Sequence, residues 1–187
     1  MAKNKIFLAV PLFTVFIHPF LGLSERTLPR FELPLLITSA GQSADVQIAG
    51  VLAKRAGLTA VLSKEATVDE LESIKTLALV IGVSMKGLGA AGSDPEKEKT
   101  RVTVLLEEAR EKNIPLLCLH LGGEARRGEL TDRMIEAFVP LAQTAIVVKS
   151  GNKDGLFTKI CAEKNIPLVE VEKILEAKEP LQQIFNR

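Results

Sequence analysis

The chain contains no tryptophan and no tyrosine, so eight phenylalanines supply every benzene ring among its 187 residues. Four of the eight fall in the first 24 residues, so Phe31, Phe138, Phe157 and Phe185 are all that serve the rest. Single-stranded nucleic acids are held by stacking bases on aromatic platforms, and this chain has almost none to offer. Recognition of sugars by ring stacking is disfavoured for the same reason. The charges are nearly balanced, 24 basic against 23 acidic, which gives no global pull toward nucleic acid or an anionic membrane. Cysteine is also scarce. Cys118 and Cys161 both sit in apolar runs, where a free thiol behaves as a small buried hydrophobe; pairing in an oxidising compartment is the alternative.

The amino terminus has its own logic. Lys3 and Lys5 precede an uncharged apolar run over residues 6–17, and Gly22 and Ser24 occupy the −3 and −1 positions of a cleavage site. This is the layout of a secretory signal peptide over residues 1–24. As a retained anchor the run would cover only about 18 Å against a hydrocarbon core of about 30 Å. The expected product is periplasmic or extracellular, with no stable membrane insertion after cleavage. Lys3 and Lys5 are the only charges in that segment, so the remaining chain carries 22 basic against 23 acidic residues.

Beyond a short linker at 25–32, residues 33–187 alternate apolar strand patterns with helical ones. Strands are expected at 33–38, 59–62, 76–84, 114–121, 144–149 and 166–171. Helices are expected at 44–56, 95–112, 131–141, 155–164 and 180–185, with a short one opened by the Thr67 to Glu70 capping-box spacing. The hexapeptide Glu111-Lys-Asn-Ile-Pro-Leu116 recurs at 163–168. In both copies Asn suits the left-handed end of a helix, and Pro suits the first position of a strand. Continuous apolar strands between helices predict one three-layer α/β/α sandwich, flavodoxin-like or Rossmann-like, with a mostly parallel sheet of about five to six strands.

Ligands of such sheets bind outside the carboxyl ends of the strands. There the polar and glycine residues gather, while the opposite connections are short. The loop after the first strand holds Ser39, Gly41, Gln42 and Ser43. The loop after the third holds Ser84, Lys86, Gly87 and Gly89, read as a glycine-rich cradle whose N–H groups face an anion. The loop after the fourth holds His120, Glu124, Arg126 and Arg127, and that after the fifth holds Lys149 and Asn152. Arginine offers a bidentate fork to carboxylate or phosphate, and Lys86 a point charge. The competing view is that the glycines merely let the loops fold and the cations are solvated. The spacing fits neither the nucleotide P-loop nor the dinucleotide fingerprint, so no cofactor is implied.

His120 is the only histidine after residue 24. It is a candidate acid–base with Glu124 as its partner, or a residue that only ties its loop to the backbone. A Cys118–His120 nucleophilic pair shares a strand face, but Cys118 lies deeper in the apolar run. Metal binding would draw on His120 with Glu124, Asp45 or Asp154, a weak set, and none is expected. The charged stretch 96–101 reads as a solvated helix face.

The motifs Ser39-Ala-Gly-Gln-Ser43, Gly82-Val-Ser-Met-Lys-Gly-Leu-Gly-Ala-Ala-Gly92, His120-Leu-Gly-Gly-Glu-Ala-Arg-Arg-Gly128 and Gly151-Asn-Lys-Asp-Gly155 together resemble an uncharacterised bacterial family of small exported α/β proteins, a domain of unknown function. The likeness covers roughly residues 33–172. It implies export and a single domain, and it transfers no catalytic residue. The expectation is therefore a binding domain for a small anionic metabolite. An enzyme acting on such a molecule through His120, or a protein-interaction module, are the alternatives.

Overall fold

The computed structural model describes residues 28–185; the leader expected over residues 1–24 lies outside them. Six strands form one sheet: β1 (Leu35–Ala40), β2 (Ala60–Leu62), β3 (Thr76–Ile81), β4 (Leu116–His120), β5 (Thr144–Val148) and β6 (Leu168–Val171). Their spatial order is 2-1-3-4-5-6, and every neighbouring pair is parallel. This is the flavodoxin-like order extended by one strand, which decides between the two expected arrangements. The helices are α1 (Asp45–Arg55), α2 (Met85–Ala90), α3 (Pro95–Glu111), α4 (Glu129–Phe138), α5 (Leu156–Lys164) and α6 (Lys178–Phe185).

Strand alternation divides the core into two halves. Leu36, Leu77, Leu79, Ile81, Cys118, Ala145 and Val147 face α3, α4 and α5, where they meet Leu105, Ile135 and Phe157. Leu35, Ile37, Ala78, Val80, Leu117, Leu119 and Ile146 face α1 and α6, against Val46, Leu52, Leu181 and Ile184. A central strand buried on both faces favours apolar residues on both, and this is why β3 and β4 read as near-continuous apolar runs with polar residues only at an end, Thr76 and His120. Both cysteines are free and buried in the first half. Burial pushes the Cys161 thiol up to about 11 and raises that of Cys118 further.

Local signals hold where the physics is local. Asn113 and Asn165, in the repeated hexapeptide, both take φ of 57° at a helix end. Asp94 caps α3 by accepting from the N–H of Glu96 and Lys97 at 3.0 and 2.9 Å. Thr67 and Glu70 form their capping box on a 3₁₀ turn, Val68–Leu71, in place of the expected helix.

The larger departure is at residues 82–92. The strand expected to run through Ser84 stops at Ile81, and the glycine-rich cradle is the helix α2. Ser84 starts it, its side-chain oxygen accepting from Gly87 N–H at 3.1 Å. Gly87 and Gly89 therefore do not hold a loop open around an anion. Gly87 has a packing reason: a β-carbon there would run into the carbonyl oxygen of Gln42, whereas one on Gly89 would meet nothing within 4 Å.

That contrast gives a matched test. Gly89→Ala should stabilise the protein by up to about 1 kcal/mol through helix propensity alone. Gly87→Ala should instead destabilise it by about 1–3 kcal/mol as overpacking against backbone. Urea unfolding of the two variants checks the signs.

Candidate functional site

In the observed strand order the chain leaves β1 toward β2 and returns to β3, so the connections after β1 and β3 part to opposite faces. α1 covers one face and α3 the other. In sheets of this kind the ligand crevice lies between two such connections, at the topological switch point. Two backbone bonds close its base, Gly82 N–H to Ala40 O at 2.9 Å and Ser84 N–H to Gly41 O at 2.7 Å.

The loop after β1 is held from beneath by α3. Glu98 is 1% exposed, and its Oε1 accepts from Gly41 N–H at 2.9 Å, from the Gln42 side-chain amide at 3.1 Å and from Arg101 Nη2 at 3.0 Å. Arg101 also donates through Nε to Glu98 Oε2 at 3.0 Å, and to the carbonyls of Ala66 and Ser39 at 2.9 and 2.6 Å. The charged stretch that reads as a solvated face thus supplies a buried ion pair, a correction that follows from its position under a loop full of donors. Gly41 at φ 106° and Gln42 at φ 57° make the tight turn this brace fixes.

At the mouth of the loop, Ser43 is buried and accepts from Asp45 N–H at 3.3 Å. The Asp45 side chain is 8% exposed, and Arg126 Nε stands 3.5 Å from its Oδ2. That oxygen accepts no hydrogen bond among the described residues. It lies over the ends of β3 and β4: β-carbons on Gly122 and Gly82 would approach it to 2.5 and 3.4 Å. Arg126 covers it, 34% exposed, and donates no hydrogen bond among the described residues. Ser39 Oγ, at the end of β1, is a second buried polar atom without a partner among them. Orphaned buried polar atoms are uncommon in folded proteins and call for an explanation.

The other expected residues are placed as follows. His120 is 1% exposed, with Nδ1 2.9 Å from the Ile81 carbonyl oxygen and Nε2 3.1 Å from that of Gly123. Glu124 does not orient it; the Glu124 carboxylate lies on the surface, paired with Lys153. The reason is reach, because the turn at Gly123–Arg126 carries Glu124 outward while the ring is tied inward. Arg127 is not an open fork. It pairs with Asp132 at 2.7 Å and Asp154 at 2.7 Å, donates to Gly151 O and lies over the Phe157 ring. Its guanidinium holds the Asp154 carboxyl down to about 2. Lys149 pairs with Glu172 at 2.6 Å. Asn152 is spent on α5 and β6, accepting from Phe157 N–H at 2.9 Å and donating to Thr158 Oγ1 and Glu170 Oε1 at 2.8 and 3.0 Å. Lys86, on α2, is exposed. The structure therefore brings Ser43 and Arg126 together around Asp45, with Ser39 buried at the end of β1, while Gly41 N–H and the Gln42 amide are spent on the Glu98 brace and Ser84 on the start of α2. It leaves Arg127, Lys149 and Asn152 to hold the neighbouring loops.

Two residues here take roles that the sequence does not assign: Asp45 stands there only in a weak metal set, and Glu98 only within a stretch read as solvated. Asp45 carries one signal, an acid in the first turn of a helix that follows a strand. Among the described residues no three His, Cys, Asp or Glu side chains cluster as a metal set. A hollow of about 430 Å³ lies elsewhere, between α3 and α4 at the amino end of β4, lined by Leu106, Ala109, Ile114, Phe138 and Leu141.

Glu98→Ala should cost about 3–5 kcal/mol, because it strands Arg101 and the loop donors, and Glu98→Gln should cost less; urea unfolding measures both. Burial lowers the His120 pKa below its usual 6.5, outweighing the two carbonyl contacts that raise it. The unfolded chain then binds the proton first, so stability falls as pH drops through 6.5. His120→Asn should flatten that part of the stability curve, followed by urea unfolding on either side of that pH.

Comparison with known proteins finds distant shape likeness and one family. No curated protein matches the sequence. Among solved structures, a point mutant of the esterase AlinE4 is 14% identical with a TM-score of 0.30, over 85% of this chain and 84% of that chain. The same esterase, described as of the SGNH-hydrolase family, gives 14% and 0.29 over 80% and 78%. A protein described as a putative lipolytic protein of the G-D-S-L family, from Desulfitobacterium hafniense, gives 13% and 0.34 over 75% and 77%. These values carry no argument about activity. The family profile matching residues 32–185 is that of a domain of unknown function, and the chain belongs to that family, DUF6305.

Proposed function

We propose that this domain binds a small molecule bearing an anionic group, in the crevice at the carboxyl ends of β1, β3 and β4. The observation that carries the reading is Arg126. It is half-buried, held by a single 3.5 Å ion pair to Asp45, and its guanidinium makes no hydrogen bond among the described residues. A planar fork left with its donors unspent at a switch-point crevice fits a carboxylate or phosphate. Its neighbour Arg127 has the same chemistry but already donates to acceptors on three residues, Asp132, Gly151 and Asp154.

Binding is favoured over catalysis by the state of His120. Both ring nitrogens already face main-chain carbonyls, and the ring is buried. A general acid–base must reach the proton it moves, and this imidazole would first have to break one of those contacts. Export to the periplasm or the cell exterior, argued from residues 1–24, fits a scavenging or sensing role for such a domain.

A thermal-shift screen against phosphates, sugar phosphates, carboxylates, amino acids and nucleotides tests the reading. A ligand at 100 times its dissociation constant adds about 2.7 kcal/mol, readily seen for a domain of this size. The expected result is a shift for one class that Arg126→Gln abolishes and Lys86→Ala weakens less. A flat screen, or a shift intact in Arg126→Gln, would overturn it.

A further inference from the structure

We infer that the ligand is an amino-carboxylate, whose ammonium group replaces Arg126 at Asp45 while its carboxylate takes the freed guanidinium. The inference rests on the anion reading above and names the ligand class for that same crevice.

Charge balance at Asp45 leads to this ligand. Its Oδ2 is fully buried and accepts no hydrogen bond among the described residues, where the one cation paired with it is Arg126, at 3.5 Å. Asp45 N–H is already turned to Ser43 Oγ at 3.3 Å, so it is not free to serve its own carboxylate. The first turn of α1 eases the negative charge, as helix amino ends do, but supplies no bond to Oδ2.

A bare anion that drew Arg126 outward would leave this carboxylate buried and uncompensated. Removing one partner of a buried ion pair is strongly unfavourable. A ligand with a neutral hydroxyl beside its anion would satisfy the oxygen without restoring the charge. A ligand with an ammonium group does both. The crevice would then read its ligand twice, at one end by the planar fork of Arg126 and at the other by the unpaired lone pairs of Asp45. Gly122 lets Asp45 and the Arg126 stem lie directly on the backbone: a β-carbon there would stand 2.5 Å from Asp45 Oδ2 and closer still to Arg126 Cγ.

No covalent bond is made or broken in this exchange. One intramolecular ion pair is replaced by two intermolecular ones, and only the Arg126 side chain must move. Arg126 makes no other polar contact among the described residues, and what its movement gives up besides the ion pair is the packing of its Cβ and Cγ on Gly122.

The test is calorimetric titration of the full chain with glycine, glycolate and acetate, which share a carboxylate and differ only in the group on the second carbon. L-Glutamate and glutarate make a second pair, in case the crevice demands a longer ligand. The amino acid of each set should bind about 10- to 100-fold more tightly than its deaminated counterpart, with glycolate between. Asp45→Asn should erase that difference, and Arg126→Gln should weaken every member. Acetate or glutarate binding as tightly as its amino partner would overturn this inference and leave the anion site standing, provided Arg126→Gln still weakens it. Failure of all five to bind at millimolar concentration would overturn the inference, and the thermal-shift screen then decides whether the anion site falls with it. The comparison within the wild-type protein stands even if Asp45→Asn fails to fold.

Discussion

The crevice depends on one buried carboxylate. Glu98 reaches from α3 across 57 residues of sequence to the loop after β1, where it accepts from Gly41 N–H and the Gln42 amide while Arg101 neutralises it. Without an acceptor there, the left-handed turn at Gly41 and Gln42 would bury donors with no partner, at a cost of about 1–3 kcal/mol each. With it, the turn is fixed and its neighbours follow. Ser43 is presented to the start of α1, Asp45 is set over the ends of β3 and β4, and the Gln42 carbonyl is set against Gly87. The brace is also why α2 sits so close to the crevice that it needs glycine at the contact.

From that brace the division of labour among the cations follows. Three basic side chains near the strand ends are committed to the scaffold: Arg101 to Glu98, Arg127 to Asp132 and Asp154, and Lys149 to Glu172. Arg126 alone of the two adjacent arginines keeps its hydrogen-bonding capacity. The buried His120 belongs to the scaffold as well, its ring set between the carbonyls of Ile81 at the end of β3 and Gly123 in the turn after β4, to one of which the neutral ring donates. A rigid rim around one uncommitted guanidinium is the arrangement expected of a binding site whose specificity comes from placement.

What could be read from residues alone was what short-range physics decides. Asn113 and Asn165 announce helix ends because the left-handed conformation is a property of the residue and its immediate neighbours. The all-apolar core of β3 announces a central strand because burial on both faces leaves little room for a polar side chain. Strand ends rich in polar residues mark where a sheet of this kind is expected to hold a ligand. Other features were decided by distant partners. Glu98 looks solvated until the loop from residue 41 is laid over it. Arg126 and Arg127 are indistinguishable in sequence, and it is the placing of Asp132, Gly151 and Asp154 around Arg127 that takes one of them out of use. Gly87 and Gly89 suggest an open loop, since nothing local reveals that a backbone carbonyl from residue 42 will press on one of them.

If Arg126 is the binding fork, ligand enters at the switch-point crevice and nowhere else on the described surface. Backbone-amide NMR of the isotopically labelled protein, titrated with glycine and with L-glutamate, tests this most directly. Shifts should cluster at residues 41–46, 82–84 and 122–126, with none in the hollow around Leu106, Ile114 and Phe138. Shifts confined to that hollow, or to residues 149–153 at the end of β5, would contradict it.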